Sequence, residues 1–205
     1  EGFRKLVGSM DPSVKRMFFS VFVLQFFQVL LSVSLGVAGE SLTNEMGLPN
    51  TKVSIFTIIS SCTSILSTYP VCYFTFKYGL QTSLLINYGI SFFGALIMFL
   101  APSSPFIFIV GFVLFSTSLQ VFVVVRGVFA NAFFPSTHLV QVLTFLTVAQ
   151  AMACCLADNI YIRIFRQKGP GVLQTQIKFL MSCRMIVVAL CISLTYFFVK
   201  NRPDK

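Results

Sequence analysis

The chain has 205 residues, of which 56% are hydrophobic, 15% aromatic and 10% charged, with 25 Phe, no Trp and a net charge of +9. Ordinary soluble domains carry about 25% charged residues, so this composition excludes a soluble domain, a disordered chain and a disulfide-rich secreted module. The apolar runs are long and uninterrupted, unlike the short alternating segments of an outer-membrane barrel. The sequence therefore predicts an all-α integral membrane protein.

Six stretches with little or no charge are long enough for transmembrane helices, which need about 20 apolar residues each. The third and fourth come from one long uncharged stretch that the turn-forming segment 101–105 divides. The sixth begins at Lys178 and contains Arg184, which is expected to extend toward the membrane surface. The predicted spans are 17–39, 53–76, 79–101, 105–126, 138–158 and 178–199, with a cytoplasmic segment 1–16 before them and the start of a cytoplasmic linker, 200–205, after them.

The positive charges predict the orientation, because short cytoplasmic loops retain Lys and Arg. With both termini inside, the inner segments hold nine cations and the outer segments five, although the basic loop 161–176 would lie outside. This bias beside acidic lipid headgroups explains the net charge, so no nucleic-acid partner is predicted. The plasma membrane is the predicted location, with an organelle membrane as the alternative. Since the chain does not begin with Met and ends just after the sixth span, we expect a piece, or one half, of a longer protein.

Three predicted spans carry polar stripes at helical spacing, and polar groups avoid lipid. The stripes are Gln25, Gln28, Ser32, Gly36 and Glu40 in the first span, Ser54, Thr57, Ser61, Ser64 and Thr68 in the second, and Thr147, Gln150, Cys154 and Asp158 in the fifth. Packing of small and hydroxyl residues between helices is the preferred interpretation of the second stripe. For the Gln residues, including Gln120 in the fourth span, interhelical packing and a water-accessible cavity both stay open.

Cysteine spacing and motif content give no indication of catalysis. All six Cys lie within predicted spans, without a CxxC pair or an accompanying His or acidic cluster. The chain has no Gly-rich phosphate loop, GxSxG or HExxH motif, and its single His138 lies at a loop edge. We therefore predict that the protein is not an enzyme and uses no metal or cofactor.

The segment from Tyr69 through Lys77 to Thr82, followed by Gly94-Ala95, resembles the end of span two, the short inner loop and the start of span three in the major facilitator superfamily. Phe76 and Lys77 stand where many members carry Asp. Six spans with both termini inside resemble one half of such a transporter. The resemblance implies transport by alternating access. It also implies a second six-helix bundle as partner, supplied by a missing C-terminal half or by a homodimer.

Within that superfamily, the chain resembles the feline leukaemia virus subgroup C receptor branch, whose members are described as haem or choline and ethanolamine transporters. The matching segments are short: QFFQ at 25–28, QVF at 120–122, FFP at 133–135 leading to Gln150, and FVKNRP at 198–203. The family surrounds its substrate with an aromatic residue, typically Trp, between two Gln of span one and with a Gln of span five. Phe26 and Gln150 are the corresponding residues here.

Together with the polar residues of the spans, this resemblance predicts a substrate site formed by Gln25, Phe26, Gln28, Gln120 and Gln150. Lys77 and Arg126 are the predicted gating residues. Aromatic faces hold a quaternary ammonium group, and a Gln amide receives a hydroxyl or carbonyl group. The predicted function is a multi-pass membrane transporter, or its N-terminal half, for a small organic solute that is choline-like or haem-related. The alternative is a non-transporting membrane subunit or scaffold of a larger complex.

Overall fold

The computed structural model describes Gly8 and residues 10–45, 55–165 and 171–199, without the side chains of 31–32, 34–45, 55, 57, 64, 118–123, 162 and 165. All the regular secondary structure in this part of the chain is helical, which confirms the all-α prediction for it. The six helices are α1 Pro12–Glu45, α2 Ile55–Tyr78, α3 Leu80–Leu100, α4 Pro105–Phe133, α5 Ser136–Phe165 and α6 Val172–Phe198. Half of the predicted cytoplasmic segment 1–16, and all of the linker 200–205, lie outside the described residues.

Four stretches of these helices are long and apolar enough to cross a membrane: Pro12–Leu30, Leu80–Leu100, Ser136–Tyr161 and Val172–Phe198. They indicate an integral, multi-pass membrane protein. In α4, two shorter apolar stretches, Pro105–Thr117 and Val124–Phe133, flank side chains that are not described.

Several helices extend beyond the predicted spans. Helix α1 begins at Pro12 rather than Met17, α4 continues past Arg126 to Phe133, and α6 begins at Val172 rather than Lys178. A run of uncharged residues marks the part of a helix suited to hydrocarbon, whereas backbone hydrogen bonding continues into the polar margins. Pro12 is well placed at the first helical position, where its fixed φ angle suits the helix and no amide donor is needed.

Helices α2 and α3 are joined by one residue, Gly79, whose φ of 87° lies in the left-handed region. The Gly79 amide donates to the Thr75 carbonyl at 3.1 Å, and its carbonyl accepts from the Ser83 amide at 3.1 Å. The buried hydroxyls of Thr75 and Ser83 are 2.8 Å apart and hydrogen bonded. Because only glycine adopts this φ without strain, Gly79 permits the tight connection.

The main contacts between helices join the first three helices to the last three. Helix α1 packs mainly on α5, α2 packs mainly on α4, and α3 packs on both α4 and α6. The helices can be matched in order, α1 with α4, α2 with α5 and α3 with α6. The α1–α5 contact then corresponds to the α4–α2 contact, and the α3–α4 contact corresponds to the α6–α1 contact. The α3–α4 contact is much larger than the α6–α1 contact, so the pairing of the helices, and not the extent of their contacts, resembles a three-helix unit and its repeat.

Helices α3 and α4 approach closely at Gly94 and Gly111. A Cβ atom on Gly94 would lie 2.8 Å from the Gly111 carbonyl oxygen and 2.9 Å from the Phe115 backbone nitrogen. A Cβ on Gly111 would lie 2.8 Å from Cγ of Met98. Small residues allow such close helix contacts in membranes. The contact brings the Phe115 ring of α4 toward the centre of the bundle.

The buried apolar residues that the structure describes form two clusters, one toward each end of the helices. The first is rich in aromatic contacts, since the Phe18 ring lies 6.4 Å from Phe129 and 5.9 Å from Phe134 between centroids. The second is centred on Phe56, whose ring centroid lies 5.1 Å from that of Phe112. On α6, the buried residues before position 184 belong to the second cluster and those after it to the first. Residue 184 is therefore close to the middle of the bundle.

Candidate functional site

A polar group connects α4 and α5 on the exposed surface of the bundle. Nη1 of Arg126 donates to Thr147 Oγ1 and to Gln150 Oε1, at 3.4 Å each. Arg126 is half-buried, whereas Thr147 and Gln150 are exposed. We call these three residues the Arg126 group. It presents a cation and amide and hydroxyl groups side by side on the surface of two neighbouring helices.

The exposed surface of α5 has an apolar and a polar side. Val148, Met152, Leu156 and Ile160 are exposed and recur at four-residue spacing, which forms an apolar stripe suited to lipid. Thr147 and Gln150 belong to the other side, because a rotation of about 100° per residue separates Thr147 from Met152 by about 140°. Polar side chains facing hydrocarbon are costly. The polar side is therefore suited to water or to a protein partner, and the apolar side to lipid.

Helix α1 places two of the predicted substrate residues inside the bundle. Gln25 and Gln28 are each 2% exposed, whereas Phe26 is half-buried beside Phe27 at 5.7 Å between ring centroids. Among the described residues, Oε1 of Gln25 has no hydrogen-bond donor. Buried polar atoms are nearly always hydrogen bonded, so this oxygen is an acceptor suited to a hydroxyl, an amine or water.

The structure thus separates the predicted site residues into two sets. Gln150 and the predicted gating residue Arg126 are in contact, while Gln25 and Gln28 are buried on α1. The Gln120 side chain lies outside the described residues. These placements define a polar surface on α4 and α5 and a separate buried acceptor on α1.

The other predicted gating residue, Lys77, is at the exposed end of α2. Its Nζ donates to the Tyr73 hydroxyl at 3.1 Å and lies 5.3 Å and 5.4 Å from the ring centroids of Tyr73 and Tyr78. Tyr rings and a Lys ammonium group are typical of the membrane–water interface. Lys77 therefore has an aromatic environment, unlike Arg126.

The second polar stripe is not packed between helices where its side chains are described. Ser61 and Thr68 are exposed, so they are not buried between the helices that the structure describes. Helical spacing shows that residues share a side of a helix, but it does not show what that side contacts. The side chains of the other members of the second stripe, Ser54, Thr57 and Ser64, lie outside the described residues. The same is true of Ser32, Gly36 and Glu40 in the first stripe.

Arg184 is buried at the centre of the bundle, and the expectation that it extends to the membrane surface is wrong. It is 1% exposed, its Nη2 donates to Ser91 Oγ at 3.1 Å, and its Cζ lies 3.3 Å from the Phe115 ring centroid. Because α6 begins at Val172, Arg184 is more than three turns from either helix end, too deep for its side chain to reach the interface. The Gly-Pro-Gly sequence at 169–171 is the signal that could have indicated this earlier start.

Comparison of the chain with known protein families and with curated proteins finds no match. A guanidinium group recognises a carboxylate or phosphate through paired hydrogen bonds, while amide and hydroxyl groups can donate to or accept from polar groups of a solute. The Arg126 group can accordingly bind a polar organic molecule that carries an anionic group.

Proposed function

We propose that the protein is a multi-pass membrane transporter, or its N-terminal half, that moves a small organic solute by alternating access. Its six helices would form one six-span half of a major facilitator superfamily fold. The observation that carries this proposal is the exposed Arg126 group on helices of a membrane protein.

The energetic cost of the Arg126 group in lipid supports a cavity at this surface. An arginine at the centre of a membrane helix costs about 2.5–3.5 kcal/mol on insertion scales, and Arg126, about two turns from the end of α4, would cost less than this in lipid. Next to it, the exposed Gln150 adds an amide group that hydrocarbon cannot satisfy, whereas the Thr147 hydroxyl donates to the Leu143 carbonyl of its own helix at 2.8 Å. Water and a second six-helix bundle, from the rest of the chain or from another copy, would satisfy them.

The arrangement of the helices is consistent with such a transporter. Many transporters are built from repeats of inverted topology, with the substrate site at the interface between bundles. The correspondence of α1, α2 and α3 with α4, α5 and α6 is the pattern that two such repeats produce. With six crossings, α1 and α4 would cross the membrane in opposite directions, as an inverted repeat requires.

The charge of Arg126 favours one of the two solute classes that the family resemblance implies. A haem-related molecule carries carboxylates that a guanidinium group can bind, whereas a choline-like cation would be repelled by it. Phe26 and the Gln25 oxygen, on α1, retain the chemistry that suits a choline-like headgroup or a hydroxyl. We therefore propose a haem-related solute first and a choline-like solute second.

Uptake into proteoliposomes tests the proposal. The protein is reconstituted, and the uptake of labelled haem, choline and ethanolamine is measured for the native sequence, Gln150→Ala and Gln141→Ala. Gln141 is the matched control, because it is an exposed Gln on the same helix about 180° from Gln150. We expect uptake of one of these solutes, at least tenfold slower in Gln150→Ala and unchanged in Gln141→Ala. Equal uptake by the native protein and Gln150→Ala would reject the site.

A non-transporting subunit or scaffold is the second candidate, because the exposed polar side of α5 also suits a protein partner. In that case the native protein takes up none of the three solutes. Gln150→Ala would then weaken the assembly of a complex, and Gln141→Ala would not.

A further inference from the structure

A pocket lies between the beginning of α1 and the end of α6. Its volume is about 450 Å³, within the range of small-ligand sites. The lining residues combine two cations and two aromatic rings with two small residues, and none of them is a carboxylate: Lys15, Arg16, Phe19, Phe198, Pro12 and Ser20. The pocket is thus both basic and aromatic.

The pocket lies where the chain leaves the membrane. Pro12–Leu30 and Val172–Phe198 are both long and apolar enough to span a bilayer, and the pocket is at the first turns of one and the last turn of the other. Lys15 and Arg16 are exposed, and the Phe19 and Phe198 side chains are each 41% exposed. Cations at such a position meet lipid headgroups, and apolar rings beside them meet the upper part of the acyl chains.

The helix ends that form the pocket are held by buried contacts. Met17 and Phe18 on α1 and Val199 after α6 are buried in the same apolar cluster. On the α6 side, Nε2 of Gln81 donates to the Tyr196 carbonyl oxygen at 3.0 Å. The pocket is therefore formed before a ligand arrives, and binding does not require the helices to come together.

We propose that this pocket binds an anionic phospholipid, with the phosphate on Lys15 and Arg16 and an acyl chain along Phe19 and Phe198. Nε of Arg16 donates to the Pro12 carbonyl at 3.3 Å, which holds the guanidinium group near the start of α1 while its other N–H groups can bind phosphate oxygens. A soluble phosphate would use the cations alone. The two rings favour a lipid, because they offer an apolar surface that an acyl chain can contact.

This inference requires the protein to lie in a bilayer but does not require transport, so its failure and the failure of the proposed function are distinguishable. The protein is placed in phosphatidylcholine nanodiscs, and phosphatidylglycerol binding is titrated by intact-complex mass spectrometry. Each Lys or Arg near a membrane surface strengthens attraction to acidic lipid by about fivefold, so the double variant K15Q/R16Q is expected to bind about 30-fold more weakly.

The control variant also removes two positive charges, but at positions outside the pocket. R163Q/K178Q replaces two exposed cations on α5 and α6 that are outside the pocket, and it is expected to bind within about twofold of the native protein. K15R/R16K keeps both charges and is expected to restore binding. Equal binding by K15Q/R16Q and the native protein would overturn the proposal. Thermal unfolding of each variant shows whether a loss of binding is merely a loss of fold. If K15Q/R16Q does not fold, lipid binding by K15R/R16K and F198A tests the proposal in its place.

A second comparison distinguishes a lipid from a free phosphate. F198A keeps both cations, and it is expected to weaken phosphatidylglycerol binding by about fivefold without changing binding of glycerol phosphate. If glycerol phosphate displaces the lipid at equal concentration, or F198A binds the lipid normally, the pocket is not a lipid site.

Discussion

Two arginines within the helices, Arg184 on α6 and Arg126 on α4, have opposite environments. Arg184 is enclosed by Ser91 and Phe115, with 1% of its surface exposed. Arg126 is half-buried and points along the exposed surface to Thr147 and Gln150. The first is part of the interior, where a planar cation fills space against an aromatic ring. The second is partly exposed beside other polar groups, so surroundings and not residue type decide which arginine is the candidate for a functional role.

The largest effect is expected for Arg184→Ala. The variant removes a fully buried side chain, the hydrogen bond to Ser91 and the cation–π contact with Phe115. Large-to-small changes in a core cost about 2–5 kcal/mol, so we expect the free energy of unfolding to fall by about 3 kcal/mol. Equilibrium unfolding in detergent micelles measures it. Arg184→Met keeps much of the volume and removes a buried charge, so a change below about 1 kcal/mol is expected. Native stability in Arg184→Ala would contradict the enclosed role.

The next effect is expected for Gly94→Ala, which acts on the helix contact that brings Phe115 toward Arg184. The new Cβ would lie 2.8 Å from the Gly111 carbonyl oxygen, and backbone atoms cannot move aside cheaply. We expect a loss of about 2 kcal/mol in unfolding free energy. Gly89→Ala on the same helix is the control, because a Cβ there meets nothing within 4 Å. Equal stability of the two variants would show that α3 and α4 do not depend on this approach.

A smaller effect on stability, but a clear effect on function, is expected for Arg126→Ala. Because Arg126 makes its contacts at 3.4 Å on an exposed surface, its removal should change the unfolding free energy by less than about 0.5 kcal/mol. Uptake of the transported solute should fall about tenfold, since a charged hydrogen bond contributes about 1.5 kcal/mol or more. Arg163→Ala, an exposed Arg at the end of α5, serves as the control. A loss of stability with normal uptake would show that Arg126 stabilises the fold and does not act on the solute.

Much of the fold follows from the sequence because hydrocarbon imposes simple requirements on a chain. Long uncharged stretches marked the helices, and Pro and Ser residues at 101–105 marked the turn between α3 and α4. Helix ends were less predictable, because hydropathy indicates which residues contact lipid and not where helical hydrogen bonding begins. Helix α6 begins six residues before its predicted start. That difference alone moved Arg184 from near the surface to the centre.

Contacts between helices were the part that the sequence could not provide. Arg126 and Gln150 were each singled out by their polarity, but they are 24 residues apart and meet only because α4 and α5 are neighbours. Arg184 and Ser91 are 93 residues apart, and no periodicity relates them. The exposure of Ser61 has the same origin: a polar stripe indicates a side of a helix, and only the packing of the bundle decides whether that side is buried.

Thiol accessibility tests most directly whether the Arg126 group faces a water-filled cavity. In a variant whose six native cysteines are replaced, Thr147→Cys and Met152→Cys are compared in intact membranes with a charged, membrane-impermeant methanethiosulfonate. Both positions are exposed on α5, but they lie about 140° apart, on its polar and apolar sides. Rapid labelling at 147, slowed by the transported solute, with no labelling at 152 is the predicted result. Equal labelling at the two positions, or none at 147, would contradict the account.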